Sequence, residues 1–331
     1  MVTLTLTDGR VLPAFEVALP WWQEVAAVVA GAREHHGLDV SVLRILETEP
    51  GRTNGGKVTY LAEVADHPLR PDYARPGGPA RSIAWAQSVL DCPITSVSQE
   101  RTWNLSAIWK LGTARGQVWL KQVPRFFWHE AAVLRYLGAP VLIAADGEGR
   151  MLMENIPGED LYEADFATLL AIADDCAGYQ IGALSHVDKL RADGVPGMLP
   201  LPEPWPVPGG LPDTLVHGDL HPGNVCGTPT ERTIIDWGDA FIGHPGFDIL
   251  RLSERVEGAQ HAELIERWAA PWCDAVPGCD PVREVELLRP VAALRNAAVY
   301  SNFLNNIEPS EHPYHAADVP FWLAEARKLT G

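Results

Sequence analysis

Val216-His217-Gly218-Asp219-Leu220-His221-Pro222-Gly223-Asn224-Val225 is the stretch on which the reading of this chain turns. Ile234-Ile235-Asp236-Trp237-Gly238 follows it, with Asp236 standing twelve residues after Asn224. Gly218, Pro222 and Gly223 break any regular period, so the stretch reads as a loop. An isolated Asp and Asn on a loop are ordinary turn chemistry. His217 and His221 suggest a metal pair, but glycine and proline between them rule out a helix face, and no third ligand stands nearby. The spacing of the carboxylates and the amide is what carries information.

Phosphoryl transfer needs a carboxylate to hold and deprotonate the attacking hydroxyl. It also needs metal ions to neutralise the triphosphate, and these prefer oxygen ligands. In kinase catalytic loops an Asp is followed five positions later by a metal-binding Asn, and a second Asp on a following hairpin completes the metal site. Asp219, Asn224 and Asp236 reproduce that D-x-x-x-x-N…D-x-G spacing.

With these residues the chain resembles the aminoglycoside phosphotransferase/choline kinase family, whose signature is H-G-D-x-x-x-x-N followed by two apolar residues and D-[WFY]. Gly243-His244-Pro245-Gly246-Phe247-Asp248-Ile249 is similar to the family's G-x-P-x-x-D-[IL] segment. The resemblance covers residues 95–325 and implies an α+β, protein-kinase-like two-lobed fold. Its N-lobe would be an antiparallel sheet and its C-lobe mainly helical. ATP, or another nucleoside triphosphate, and Mg2+ are the implied cofactors. The implied activity is transfer of the γ-phosphate to a hydroxyl of a small molecule: an aminoglycoside-like antibiotic, an amino alcohol or a sugar. An antibiotic-resistance role would accompany the first of these.

The resemblance also implies roles for individual residues. Asp219 would orient the hydroxyl and accept its proton, Asn224 and Asp236 would hold magnesium, and His217 and Asp248 would brace the loop. Lys121 ends the apolar run Gln117-Val118-Trp119-Leu120, and Glu130 stands nine residues on in the helix-period segment WHEAAVLRYL. In the kinase arrangement Lys121 touches the α- and β-phosphates and Glu130 holds it by an ion pair. Leu152-Met153-Glu154-Asn155-Ile156-Pro157-Gly158 fits the hinge, where the backbone from Glu154 to Ile156 would meet the adenine edge and Val118 and Ile235 would pack on the ring. No G-x-G-x-x-G loop and no Walker A sequence is present. Trp103-Asn104-Leu105-Ser106 stands where the phosphate-covering loop belongs, with Ser106 as a contact to the terminal phosphate. The acceptor would meet Glu254 and Glu257, then Tyr300 and Asn302, with Arg295, Asn305 and Asn306 nearby. No A-P-E element or activation segment follows Asp236, which argues against a protein substrate.

Outward from the motifs, helical periodicity over residues 81–90 leads into strand-like runs at 95–103, 106–111 and 117–123. A helix over 128–137 closes on Gly138, and runs at 141–145 and 150–154 follow. Residues 164–192 read as a long helix, and 198–213 hold too many prolines and glycines for a regular element. Residues 1–80 read as a small accessory α+β module. It would have a strand–turn–strand around Asp8-Gly9, a helix opening at Pro20 and closing at Gly37, and strands over 38–46 and 57–65. The expected order is therefore this module at 1–80, an N-lobe with hinge at 81–156 and a C-lobe with catalytic loop and substrate site at 157–331.

The chain has 331 residues, 26 Lys plus Arg and 43 Asp plus Glu, for a formal charge of -17. That sign repels phosphate backbones, so nucleic acid is not expected as a partner. Five cysteines without a Cys-x-x-Cys pair favour a reducing, cytoplasmic setting. MVTLTLTDGR lacks a basic start and an apolar core, and no run is long enough to span a membrane. A small-molecule hydroxyl substrate is the expected partner, with a homodimer through the N-terminal module as a further expectation. A non-catalytic, kinase-like ATP-binding module is the alternative reading.

Overall fold

Val2, Leu4 and Leu6 alternate with threonines, and this period of two forms strand β1 (Val2–Leu6) with its apolar face buried. The chain turns after it at Asp8-Gly9, but the return run makes only isolated bridges, Thr5 to Val11 and Val2 to Phe15. Pro13 lies between those bridges and has no N–H to donate, which explains why no second strand forms there. Helix α1 (Ala26–His36) ends on Gly37, whose φ of 66° carries the left-handed cap. Strands β2 (Val40–Thr48) and β3 (Val58–Val64) complete a three-stranded sheet in the order β1-β3-β2, with β1 parallel to β3 and β2 antiparallel to it. Val28 and Ala32 of α1 pack against Leu4, Tyr60 and Ala62 of the sheet.

The computed structural model describes all residues except 19, 20, 53, 65, 66 and 331. The helix opening expected at Pro20 and the strand end expected at Ala65 lie outside the described residues. The chain divides into two compact units, Met1–Arg70 and Pro71–Gly331. Residues 71–80 thus fall in the second unit, where Asp72–Ala74 forms a 3-10 turn and helix α2 (Gly78–Val89) begins.

The second unit opens with a five-stranded antiparallel sheet built from β4 (Ile94–Thr102), β5 (Ala107–Thr113), β6 (Gly116–Gln122), β7 (Leu142–Ala145) and β8 (Arg150–Glu154). The strand order is β4-β5-β6-β8-β7, and helix α3 (Glu130–Leu137) lies in sequence between β6 and β7. The helix starts two residues later than residue 128 because Arg125–Phe127 forms a 3-10 turn first. Gly138, at φ 72°, closes it. Trp109, Leu111, Leu120 and Leu152 form one buried face of the sheet, with Tyr73 and Ala86 packed on it.

The remainder is mainly helical. The short strand β9 (Glu159–Asp160) leads to α4 (Phe166–Ala183), whose N-cap Asp165 accepts from the Thr168 N–H at 2.9 Å. A cap of this kind stabilises a helix by ~1 kcal/mol. Helix α5 (Val187–Ala192) follows, and the Pro/Gly-rich stretch after it has no long regular element. Short strands β10 (Thr214–Val216), β11 (Val225–Gly227), β12 (Arg232–Ile234) and β13 (Phe241–Gly243) frame the segment that carries Asp219, Asn224 and Asp236. β10 pairs with β13, and β11 pairs with both β12 and β9. Helices α6 (Gly246–Leu252), α7 (Gly258–Ala275), α8 (Pro281–Asn306) and α9 (Asp318–Thr330) complete the unit. Trp268 and Trp272 of α7 are fully buried with Ile172, Cys176 and Leu220, which joins α7, α4 and the loop in one core. Among the described residues no helix is long and apolar enough to cross a membrane.

Candidate active site

Lys121 lies near the end of β6, where its register with Met151 of β8 turns the side chain into the protein, and it is 6% exposed. Its Nζ donates to Glu130 Oε1 at 2.6 Å and to Asp236 Oδ1 at 2.7 Å. Burial by itself would depress the lysine, but Asp236 and Glu130 outweigh it and raise the pKa, so the ammonium stays charged. Burial raises the Glu130 carboxyl despite Lys121, whereas for Asp236 the attraction of Lys121 outweighs burial and lowers the pKa. Glu130 Oε1 also accepts the Trp237 N–H at 3.2 Å, which ties α3 to the segment carrying Asp236. A buried charge left alone by removal of its partner costs about 3–5 kcal/mol, so this cluster is maintained as a unit.

Asp236 adopts φ 63°, in the left-handed region that Asp tolerates better than most residues. The conformation leaves its side chain 46% exposed beside a fully charged lysine. Trp237 is buried against Tyr179 and His217, with ring centroids at 5.0 and 4.6 Å.

The loop between β10 and β11 is fixed mainly through its backbone. Asp248 of α6 is fully buried, and its carboxylate accepts the His217 N–H at 2.8 Å and the Gly218 N–H at 2.9 Å. Gln180 of α4 donates to the same carboxylate at 3.0 Å, and the Tyr179 hydroxyl donates as well. Gln180 is held in turn by Trp268, whose indole N–H donates to its Oε1 at 2.9 Å. His217 is also fully buried, with Nε2 at 2.9 Å from the Ile235 carbonyl and Nδ1 accepting the Asp219 N–H at 3.2 Å. Those bonds define the tautomer and connect the loop to the residue before Asp236. Gly218 has φ +85°, and a Cβ there would fall 2.2 Å from the Asp239 carbonyl oxygen. Only glycine serves at that position.

Asp219 accepts from Arg251 Nε at 2.7 Å, and His221 Nε2 lies 3.6 Å from its other oxygen. Burial pushes this carboxyl up, but His221 and Arg251 together outweigh it and hold the group well below the usual carboxylate range. The Asn224 amide donates to the Asp219 carbonyl at 3.0 Å, so its own carbonyl oxygen is turned away from that bond. Asn224 and Asp236 thereby offer hard oxygen donors on neighbouring strand ends, β11 pairing with β12. Among the described residues no group of three His, Cys, Asp or Glu side chains is arranged to hold a metal. A sparse oxygen set of this kind suits Mg2+, which commonly takes one or two protein ligands and completes its shell with phosphates and water.

The remaining expected residues are distributed around this centre. Ser106 is 6% exposed, and its Oγ accepts the Trp103 indole N–H at 3.1 Å. The Glu154 N–H bonds the Val141 carbonyl at 3.0 Å, whereas the Ile156 N–H has no hydrogen-bond partner among the described residues. Glu254 is exposed and pairs with Arg251, which connects it to Asp219. Glu257 stands exposed before α7 and makes no hydrogen bond or ion pair among the described residues. The Tyr300 hydroxyl is pushed up to about 12, by burial first and then by Asp318 and Asp219. Asn302 lines a cavity of about 190 Å³ with Asp239, Phe126 and Phe303, and its backbone and side-chain oxygens both accept from Asn306. Asn305 is exposed.

Arg295, which lines the same cavity as Asn302, also braces the loop. It is 6% exposed beneath the loop and donates to the Gly218 carbonyl at 3.1 Å, with its guanidinium 4.3 Å from the Phe241 ring centroid. An arginine in an amide-rich helix reads as an acceptor contact, and only the packing of α8 under the loop reveals its bond to the Gly218 carbonyl. Sequence reasoning also passed over Arg251 and Asp239. Arg251 stands one helical turn after Asp248 on α6, so the helix was legible but not which of its faces meets Asp219. The Asp239 carboxyl is pushed up to about 7, first by burial and then by the nearby charge of Asp219.

Residues 198–285 match the model of the phosphotransferase enzyme family, APH. Comparison with curated proteins by sequence found no match. Among solved structures, a macrolide 2'-phosphotransferase from Brachybacterium faecium is similar at 15% identity and TM-score 0.50, covering 72% of this chain and 97% of that one. A choline kinase from Streptococcus pneumoniae is similar at 14% identity and TM-score 0.53, covering 75% and 99%. An ethanolamine kinase from Plasmodium vivax is similar at 10% identity and TM-score 0.53, covering 74% and 87%. The α+β, protein-kinase-like fold expected from the motifs is the fold of this chain, and the family match falls on the segment that holds the H-G-D and D-W-G sequences.

Proposed function

We propose that this chain is a phosphotransferase of the aminoglycoside phosphotransferase/choline kinase type that moves the γ-phosphoryl group of ATP to a hydroxyl of a small molecule. The observation that carries the reading is the cluster in which Lys121, Glu130 and Asp236, from a strand, a helix and the D-W-G segment, meet within 2.6–2.7 Å. No structural need calls for a fully charged lysine buried between carboxylates, whereas a triphosphate does.

Asp219 orients the acceptor hydroxyl and takes its proton as the new bond forms. A carboxylate held below its usual range is a weak base, so its main contribution is alignment, with proton uptake late in the step. Lys121 pairs with the α- and β-phosphates, and Glu130 keeps it in place. Asn224 and Asp236 would hold Mg2+, which when bound would neutralise phosphate charge. Asp248 and His217 act on the loop from behind. The turn at Trp103-Asn104-Leu105-Ser106 covers the phosphates, and the backbone at Glu154 to Ile156 meets the adenine. The acceptor side comprises Tyr300 and Asn302 with Glu254 and Glu257. The acceptor itself is an antibiotic, an amino alcohol or a sugar.

The test is ADP release from Mg-ATP over a panel containing a macrolide, an aminoglycoside, choline, ethanolamine and simple sugars. Stimulation by one compound is expected, with Asp219→Asn reducing turnover about 10²–10⁴-fold while ATP binding is retained. ATP bound but never turned over with any acceptor would favour the non-catalytic binding module instead. Absence of ATP binding would refute the reading altogether.

A further inference from the structure

The turn that joins β4 to β5 is held from the far end of the chain. Asn104, 4% exposed, donates Nδ2 to Glu311 Oε2 at 3.1 Å, and its Oδ1 lies 3.0 Å from His315 Nε2. Since the amide N–H is given to Glu311, Oδ1 is the acceptor and His315 Nε2 carries the proton. His315 is itself 4% exposed, packed against Trp103 at 5.8 Å, Tyr300 at 5.8 Å and Phe303 at 5.3 Å between ring centroids. Trp103 also meets Tyr314 edge-on at 6.3 Å. Within the turn, the Trp103 N–H bonds the Ser106 carbonyl at 2.9 Å and its indole bonds Ser106 Oγ at 3.1 Å.

A clamp of this kind is unusual in position. Glycine-rich phosphate loops track their ligand because nothing fixes them, whereas this turn has no glycine and is tied across 207 and 211 residues of sequence. It borders a cavity of about 510 Å³ lined in part by Tyr73, Thr102, Asn104 and Glu311, so close packing does not support it on that side. Among the described residues, the side-chain hydrogen bonds from the β4–β5 hairpin to the helical part of the unit run through Asn104. Buried amides that satisfy both ends of their hydrogen-bonding capacity specify one geometry, because any other leaves a donor or acceptor unpaired.

We infer that Asn104 is a positioning residue for the β- and γ-phosphates: held by Glu311 and His315, it fixes the turn from Trp103 to Ser106 over the triphosphate. The inference rests on the phosphotransferase reading. The C-terminal segment Pro309–Tyr314 with His315 thus belongs to the nucleotide site, although it lies far from it in sequence. The Ser106 hydroxyl accepts from Trp103 and keeps its own proton free to donate to a phosphate oxygen.

The clamp acts on the part of the nucleotide that AMP lacks, so titration calorimetry with ATP and with AMP tests it without reference to turnover. Glu311→Ala and His315→Ala are each expected to weaken ATP binding about five-fold, and Asn104→Ala about thirty-fold, with AMP binding unchanged. Glu311→Gln and His315→Gln are expected to bind ATP like the parent chain, because a glutamine amide still accepts from, or donates to, Asn104. Equal weakening of ATP and AMP would mean a general structural role and overturn the proposal. So would unchanged ATP affinity in Asn104→Ala, or glutamine variants as weak as the alanine ones. A parent chain that binds neither nucleotide would refute the phosphotransferase reading itself, a result distinct from failure of the clamp.

Discussion

At the scale of single residues, Asp219 shows how a neighbour absent from the motif governs a motif residue. Arg251 donates to it at 2.7 Å and, with His221, offsets the upward push of burial. The folded-state pKa of Asp219 is lowered, so the stabilisation it contributes is present above its unfolded value and is lost as pH falls through the folded one. The same depression keeps Asp219 ionised in mild acid. Arg251→Ala removes one of the groups that oppose burial, and the carboxyl pKa then rises. The acid limb of the kcat/KM profile, which for the parent chain lies below the usual carboxylate range, is expected to move to higher pH in this variant, as measured from the lowest pH at which both chains stay folded up to pH 8. An unmoved limb would separate Asp219 from the ionisation that limits catalysis. Arg251 also competes with an incoming hydroxyl for Asp219, so acceptor binding has to loosen a charge-assisted bond.

At the scale of elements, the catalytic-loop sequence has little regular structure of its own and depends on three helices. Asp248 on α6 accepts the His217 and Gly218 N–H groups, Tyr179 and Gln180 on α4 complete its shell, and Trp268 on α7 holds Gln180. The His217 and Gln180 donors are buried and those of Gly218 and Tyr179 half-buried, so deleting the carboxylate leaves several unpaired groups rather than one lost bond. Asp248→Ala is expected to destabilise the second unit by about 3 kcal/mol or more, seen as a lower urea midpoint, and to reduce turnover sharply. Asp248→Asn keeps one acceptor oxygen and is expected to lose less. A midpoint unchanged by the alanine variant would show that the loop does not depend on this brace. The motif G-x-P-x-x-D-[IL] is thus legible in physical terms, since the aspartate must sit in the first turn of α6 to reach the loop backbone.

At the scale of the whole molecule, the two units have separate cores, one formed by Val2, Leu4, Val28 and Tyr60 and the others lying within residues 71–331. In the first unit β2 is a sheet edge, and Leu43, Ile45 and Leu46 on it are 40–49% exposed. Edge strands with apolar side chains are candidates for pairing with another copy. The homodimer expectation is therefore best tested at this strand. The full chain is expected to scatter light as a dimer, and Leu43→Glu with Ile45→Glu to convert it to a monomer with its nucleotide binding intact. A parent chain that is already monomeric would reject the expectation. The charge of -17 would oppose indiscriminate contacts between copies.

The sequence by itself singled out the loop proposed to carry the chemistry, because Asp219, Asn224 and Asp236 lie close along the chain and their spacing matches the one phosphoryl transfer would use. It also determined the order of strands and helices over residues 81–154, since periodicities of 2 and 3.6 and a cap such as Gly138 are local properties, whereas the short strands that frame the loop carry no such period. Tertiary structure alone decided what each side chain meets. Arg251 reaches Asp219 from a helix, Arg295 turns under the loop instead of toward solvent, and Glu311 and His315 grip Asn104 from the other end of the chain. These contacts span from 32 to more than 200 residues. No local pattern encodes them, because they depend on which faces of distant elements the hydrophobic core brings together.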